Sequence, residues 1–284
     1  MTLLHFAKHF VTILLVLLMA EFGVHYTPGL TVYADISYGE DEKQTMDIYY
    51  PDEPENINEP IDAFIFIHGG SWTGGSKRDS RYFAIPMAKE GYISAAMNYR
   101  TKSRDIENPE YYDATLAEMM EDISLAIAKI KDQATEDGVA VNKIALVGDS
   151  AGGHLALLYA YSHLNGTPDE APIPIGFVVG RIAPTNVNFS VPRPDGFGDD
   201  SMDSNVLNYV SADTPPTILC YATKDELVFP EIHGFPLRDL LDEFEVPYEY
   251  YTFSFSGHTL LHPFDLGQHQ KAYSSMMDYA NLYF

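Results

Sequence analysis

Thiols are almost absent from this chain: Cys220 is the one cysteine in 284 residues. That excludes an intramolecular disulfide and any metal site built on several thiolates. Basic side chains are also scarce, 17 Lys and Arg against 41 Asp and Glu, leaving a formal net charge of -24. So acidic a chain repels phosphate backbones and anionic lipid, which argues against nucleic acid as a partner and against polybasic membrane docking. The plainest use of the excess is solubility. No HExxH motif and no closely spaced ligand set occurs, so nothing points to a metal. Apolar residues are not lacking: at 46% of the chain they suffice for a substantial core and exclude a disordered protein.

Long hydrophobic runs are missing too. Residues 10–20 form an apolar stretch with Thr12 as its one polar side chain. A bilayer-spanning helix needs about 20 apolar residues, so this stretch is too short for a good anchor. Lys8 before it, no acid until Glu21, and the small residue of Leu18-Met19-Ala20 give it the anatomy of a signal peptide. The expectation is a signal over residues 1–20, cleaved after Ala20, and a secreted or extracellular product. The alternative is a cell-surface protein held through residues 10–20. Residues 21–284 are then expected to form one domain.

From residue 33 onward, short β-rich runs alternate with helical periods. Residues 33–38 and 46–50 read as strands separated by the polar turn Gly39-Glu40-Asp41-Glu42. The run 63–67 is wholly apolar, the mark of a strand covered on both faces. A helix over 80–90 stops at Gly91, and a strand over 92–99 follows. Leu116, Met120, Ile123, Ile127 and Ile130, spaced 4, 3, 4 and 3, make one apolar helical stripe. Strands at 144–147, 175–182, 217–222 and 248–255 alternate with helices at 155–164, between 230 and 244, and around 271–282. The stretch 187–213 has no period and reads as a loop or small cap. This alternation predicts an α/β fold: a mostly parallel central sheet with helices on both faces.

The sharpest local signal is GDSAG at 148–152, where a buried strand gives way to a helix. A nucleophile elbow needs that arrangement, with glycines permitting the turn and Ser150 at its apex. At the end of the apolar strand 63–67 stands HGGSW, residues 68–72. Acyl transfer requires backbone N–H groups aimed at a developing oxyanion, and glycines let the chain approach closely enough to supply them. Gly69 and Gly70, with the N–H of Ala151 from the elbow, are the candidate donors. His68 precedes them and reads as a loop-fixing residue; Trp72 is a candidate wall of the substrate pocket or a packing residue. A serine needs a base and the base an orienting acid, which follow the elbow in the order acid, then histidine. Asp225 lies just past the strand 217–222 and His258 just past the strand 248–255, where catalytic groups gather in such sheets. Glu226, His262 and His154 are the competitors.

HGGSW, VGDSAGGHLA at 147–156, ATKDELV at 222–228 and the terminal SGH together resemble the alpha/beta-hydrolase superfamily. Within it the motifs are similar to the hormone-sensitive-lipase-like and feruloyl-esterase-like carboxylesterases, over residues 31–284. The resemblance implies an eight-stranded sheet, a Ser150-His258-Asp225 triad, a covalent acyl-enzyme and no cofactor. With no long apolar lid of the kind that binds lipid chains in the sequence, and with the expected export signal, the expected substrate is a small-molecule or polysaccharide-linked ester with a short acyl or an aryl group of acetyl or feruloyl type. One departure stands out: Ser71 occupies a position where many of these lipases have a third glycine. HGG-x-W loops also resemble those of kynurenine formamidases, so an amidase, formamidase or peptidase of the same fold is the alternative.

Overall fold

A computed structural model of the chain describes residues 27–54, 57–102, 114–164, 170–187 and 203–284. The expected signal segment, and residues 188–202 of the expected cap, lie outside the described residues. Eight strands form one sheet: β1 (Thr31–Ser37), β2 (Thr45–Tyr50), β3 (Ile61–Ile67), β4 (Ile93–Met97), β5 (Val141–Asp149), β6 (Ile175–Arg181), β7 (Thr217–Ala222) and β8 (Tyr248–Phe253). Their spatial order is β1-β2-β4-β3-β5-β6-β7-β8. β1 and β2 form an antiparallel pair and β2 runs antiparallel to β4, while every pairing from β4 through β8 is parallel.

The helices are α1 (Lys77–Lys89), α2 (Leu116–Glu136), α3 (Ala151–Ser162), α4 (Gly234–Glu243) and α5 (Leu266–Tyr283). Alternation along β3 explains why its run is apolar throughout. Ala63, Ile65 and Ile67 face one core with α2, α3 and α4, whereas Phe64 and Phe66 face the other with α1 and α5. Three helices begin before the expected range: α1, α3, which starts at Ala151 rather than 155, and α5. At α1 the Ser76 N–H donates to Asp79 Oδ2 (2.8 Å), which starts the helix at Lys77 rather than Ser80. α5 starts five residues before Lys271, continuing from a 3-10 turn at Pro263–Asp265. Among the described residues no helix is long and apolar enough to cross a membrane.

The order of strands fixes where chemistry can occur. After β3 the chain moves out to β4, and returns past β3 to lay down β5 on its other side, so the order in which strands are added reverses between the parallel neighbours β3 and β5. The carboxyl ends of these two neighbours, in register at Ile67 and Gly148, carry the HGGSW loop and the GDSAG turn. The described part of the expected cap, from Asp203 to Asp213, contains a 3-10 turn at Val206–Tyr209 that packs on α3. There the Val206 N–H donates to the Thr185 carbonyl (3.0 Å).

Candidate active site

Ser150 turns the chain from β5 into α3 at φ 52° and ψ -119°, a backbone conformation that a residue with a side chain adopts only under constraint. The constraint is visible on both sides of it. The Ser150 N–H donates to the Arg181 carbonyl (2.8 Å), and its own carbonyl accepts from the His154 N–H (2.9 Å). A side chain at position 152 would place its Cβ 2.2 Å from the Ile67 carbonyl, so only glycine lets α3 approach the end of β3 this closely.

His258 follows β8 and reaches back to the serine, its Nε2 standing 2.9 Å from Ser150 Oγ. Its Nδ1 is 2.8 Å from Asp225 Oδ2, and the other carboxyl oxygen accepts the N–H groups of Leu227 and Val228, 2.9 Å each. Burial pushes the Asp225 carboxyl upward, but the bonds from His258, Val228 and Leu227 prevail and hold it below the ordinary carboxylate range. A carboxylate can only accept, so His258 Nδ1 carries the proton and Nε2 presents a lone pair to the serine hydroxyl. The structure thus brings Ser150, Asp225 and His258 into one hydrogen-bonded line, with the serine hydroxyl poised to lose its proton to Nε2.

The competing residues are placed elsewhere. Glu226 is exposed. His262 accepts from the Phe264 N–H (3.3 Å) and stacks on Phe255. His154 is fully buried: its Nδ1 accepts from the Trp72 indole (3.2 Å) and its Nε2 donates to the Ser204 carbonyl (2.8 Å). Burial pushes its imidazole down to about 4, despite the opposing Ser204 bond, so it is neutral. Trp72 is 1% exposed and lies inside the core shared with α2 and α3. It is a packing residue and does not wall an open pocket: the turn at Ser71 and Trp72, both with positive φ, directs the indole inward.

Gly69 lies against the serine; a Cβ there would come 3.3 Å from Ser150 Cβ and 2.9 Å from the Asp149 carbonyl. Gly70 has φ 124°, a conformation open to glycine, and its carbonyl accepts the N–H groups of Thr73 and Gly74. Ser71, at the position of the third glycine, has φ 55°, so the left-handed turn is kept at some strain. Two side chains lock the peptide planes of this loop. Tyr99 OH donates to the His68 carbonyl (3.1 Å), and His68 Nδ1 donates to the Gly69 carbonyl (2.7 Å). In a planar trans peptide the carbonyl and the next N–H point in opposite directions. Anchoring these two carbonyls therefore fixes the directions of the Gly69 and Gly70 N–H groups. His68 also stacks on Tyr99 with ring centroids 4.3 Å apart, and burial pushes it down to about 4, so it stays a neutral donor to Gly69. Ala151, the first residue of α3, contributes its N–H at the positive end of that helix. The set can receive an oxyanion beside Ser150.

Two residues with supporting roles escaped the sequence reading. Tyr99 belongs to no motif, and nothing in the sequence signals it. Asp265 is buried and accepts from Ser256 Oγ (2.6 Å) and the Phe255 N–H (3.0 Å), which pins the loop carrying His258. Its one visible signal is an acid shortly before the last helical period. Among the described residues no group of three or more His, Cys, Asp or Glu side chains is arranged to hold a metal ion.

Comparison with known proteins follows the same lines. The BD-FAE family model matches residues 46–190, a span that includes the HGGSW loop and the GDSAG turn. The "Probable carboxylic ester hydrolase LipM" of Mycobacterium tuberculosis is 29% identical over 248 residues, covering 72% of this chain and 53% of that protein. The kynurenine formamidase of Danio rerio is 27% identical over 124 residues, 44% of this chain and 37% of that protein. The chain thus spans about half the length of these curated relatives, or less. Among solved structures, esterase B from Lactobacillus rhamnosis, inhibited by a tributyrin phosphonate, superposes with a TM-score of 0.72. It is 18% identical, and the match covers 98% of this chain and 94% of that one.

Proposed function

The chain belongs to the BD-FAE family and carries the alpha/beta-hydrolase fold, and from that premise we propose that it is a serine carboxylesterase. The substrates are uncharged esters with a short acyl or an aryl group, of acetyl or feruloyl type. The observation that carries this reading is the hydrogen-bonded line from Ser150 Oγ through His258 to Asp225. His258 Nε2 takes the hydroxyl proton while Ser150 Oγ attacks the ester carbonyl carbon. The oxyanion that forms is met by the N–H groups of Gly69, Gly70 and Ala151. His258 then passes the proton to the departing alcohol oxygen, leaving an acyl-serine. Water, activated by the same imidazole, releases the acid and restores the serine. Asp225 holds the imidazole tautomer and stabilises the imidazolium at each stage.

The test is Ser150→Ala. The variant should keep the fold, resist labelling by a fluorophosphonate probe and lose nearly all turnover of p-nitrophenyl acetate; unchanged turnover would overturn the assignment. Amide hydrolysis is the second reading, favoured by the likeness to kynurenine formamidase. Esters run beside matched amides and N-formylkynurenine separate the two, and faster turnover of the amides would replace the esterase reading.

A further inference from the structure

Exposed apolar side chains on this protein are not scattered. Of the eight large hydrophobic residues that stand exposed among the described ones, six are Leu227, Phe229, Phe255, Leu261, Phe264 and Leu266. Five lie between β7 and α4 or between β8 and α5, the two connections that carry Asp225 and His258, and Leu266 opens α5 directly after them. Single exposed leucines need no explanation, but a concentration of them around the segments that bear the acid and the base does.

The loops are laced to each other. The Lys224 N–H donates to the Ser256 carbonyl (3.2 Å), Thr223 Oγ1 donates to the Ser254 carbonyl (3.0 Å), and Lys224 Nζ sits 5.5 Å from the centre of the Phe255 ring. Phe255 in turn stacks on His262 (centroids 5.6 Å apart) and meets Phe264 edge to face (5.4 Å). Asp265 fixes the backbone beneath them. The aromatic group is therefore held in place, yet Phe264 is 76% and Leu261 81% exposed. A preorganised apolar face turned toward water is built for a ligand rather than for the core.

The chemistry of the serine says which part of a ligand meets it. An imidazole that must return its proton to the departing oxygen has to lie within hydrogen-bond reach of that oxygen. The carbonyl oxygen points the other way, toward the loop after β3. Atoms beyond the departing oxygen therefore pass over the loop that bears His258. The most exposed large side chains there are Leu261 and Phe264, beside the Thr259 hydroxyl and His262, whose Nδ1 accepts from the Phe264 N–H. We propose that the face formed by Phe255 and Phe264, edged by Leu261, binds the alcohol portion of the ester and selects apolar, above all aryl, alcohols. This rests on the serine carboxylesterase reading and goes beyond it in naming the alcohol side.

Benzyl acetate and methyl acetate, dissolved as monomers, test it, since their leaving groups are of similar basicity and differ in the ring. In the double variant Leu261→Ser/Phe264→Ser the ratio of kcat/KM for benzyl over methyl acetate should fall about tenfold, mainly through KM. Phe264→Trp, which enlarges the ring, should move the ratio the other way. An unchanged ratio, or an equal fall for both esters, overturns the proposal. So does a defect seen only with esters presented in phosphatidylcholine vesicles, which would make the face a lipid-docking surface. If the unaltered protein cleaves neither acetate, the carboxylesterase reading fails first; if it cleaves both and the variants keep its ratio, the alcohol site fails alone.

Discussion

At Asp225, burial and hydrogen bonding act in opposite directions, and the bonds win. The acid is thereby kept ionised inside the protein, where it can accept from His258 and nothing else can take its place. Glu226, one residue on, is exposed, and His262 is committed to a turn. Asp225→Asn and His258→Ala should each lower kcat on the order of 10³-fold or more. A larger loss in His262→Ala than in His258→Ala would move the base to the wrong side of the loop and sink this geometry. At this scale the sequence was informative where a residue's place relative to a strand end decides its role. Ser150, Asp225 and His258 all stand at carboxyl ends of strands, and strands are legible as apolar runs. Tyr99 was not legible because the carbonyl it binds, that of His68, comes from another loop, and Asp265 because its bond to Ser256 needs the connection between them to fold back on itself.

Among the elements, α3 is the one that ties the site together. From its first turn, fully buried His154 joins the loop after β3, through Trp72, to the segment at 203–213, through Ser204. A neutral imidazole with one acceptor and one donor nitrogen suits both bonds at once. Burial holds it near 4 against an ordinary value of 6.5, and burial does the same to His68 and His233. Above about pH 6.5 neither the folded nor the unfolded chain protonates these rings. As the pH falls the unfolded chain takes up protons first, so this stability, complete above 6.5, drains away as the pH approaches 4. His154→Leu removes both bonds and should cost on the order of 2–4 kcal/mol. It should also make the pH dependence of unfolding between 6.5 and 4 shallower by about one proton. Denaturant melts across that range measure both, and an unchanged slope would mean that His154 is not held neutral. The same element shows where periodicity falls short: a helix buried on every side carries no stripe, and its apolar run marks a beginning only at residue 155, four residues late.

Over the whole molecule the charge excess becomes a statement about substrates. Residues 151–284 hold 17 acids and 5 bases, and this half of the chain supplies Asp225, His258, the segment at 203–213 and the apolar face. So acidic a half is expected to disfavour anionic esters relative to neutral ones and to help a carboxylate product leave. Screening acts over roughly 8 Å at physiological salt and over longer distances below it. Hence kcat/KM for an ester with a free carboxylate should rise as salt is added, while that for a neutral ester of the same shape stays level. Equal responses of the two would remove the field from the account.

Taken alone, the sequence determined the alternation of strand and helix, the nucleophile turn, the glycine loop and the two strand ends that bear acid and base. Each is a local property, set by apolar periodicity or by what a tight turn permits, and local properties survive without a partner in view. Only the tertiary structure decided which local features meet. The reversal of strand order between β3 and β5 sets Gly69 against Ser150, although 80 residues separate them. It also decided that Trp72 goes under the loop to His154 and that the rings of Phe255 and Phe264 stay outside. The physical reason is the same in each case. A side chain's fate depends on whether a neighbouring element arrives to cover it, and that arrival is governed by sheet order and close packing, which no single stretch of sequence contains.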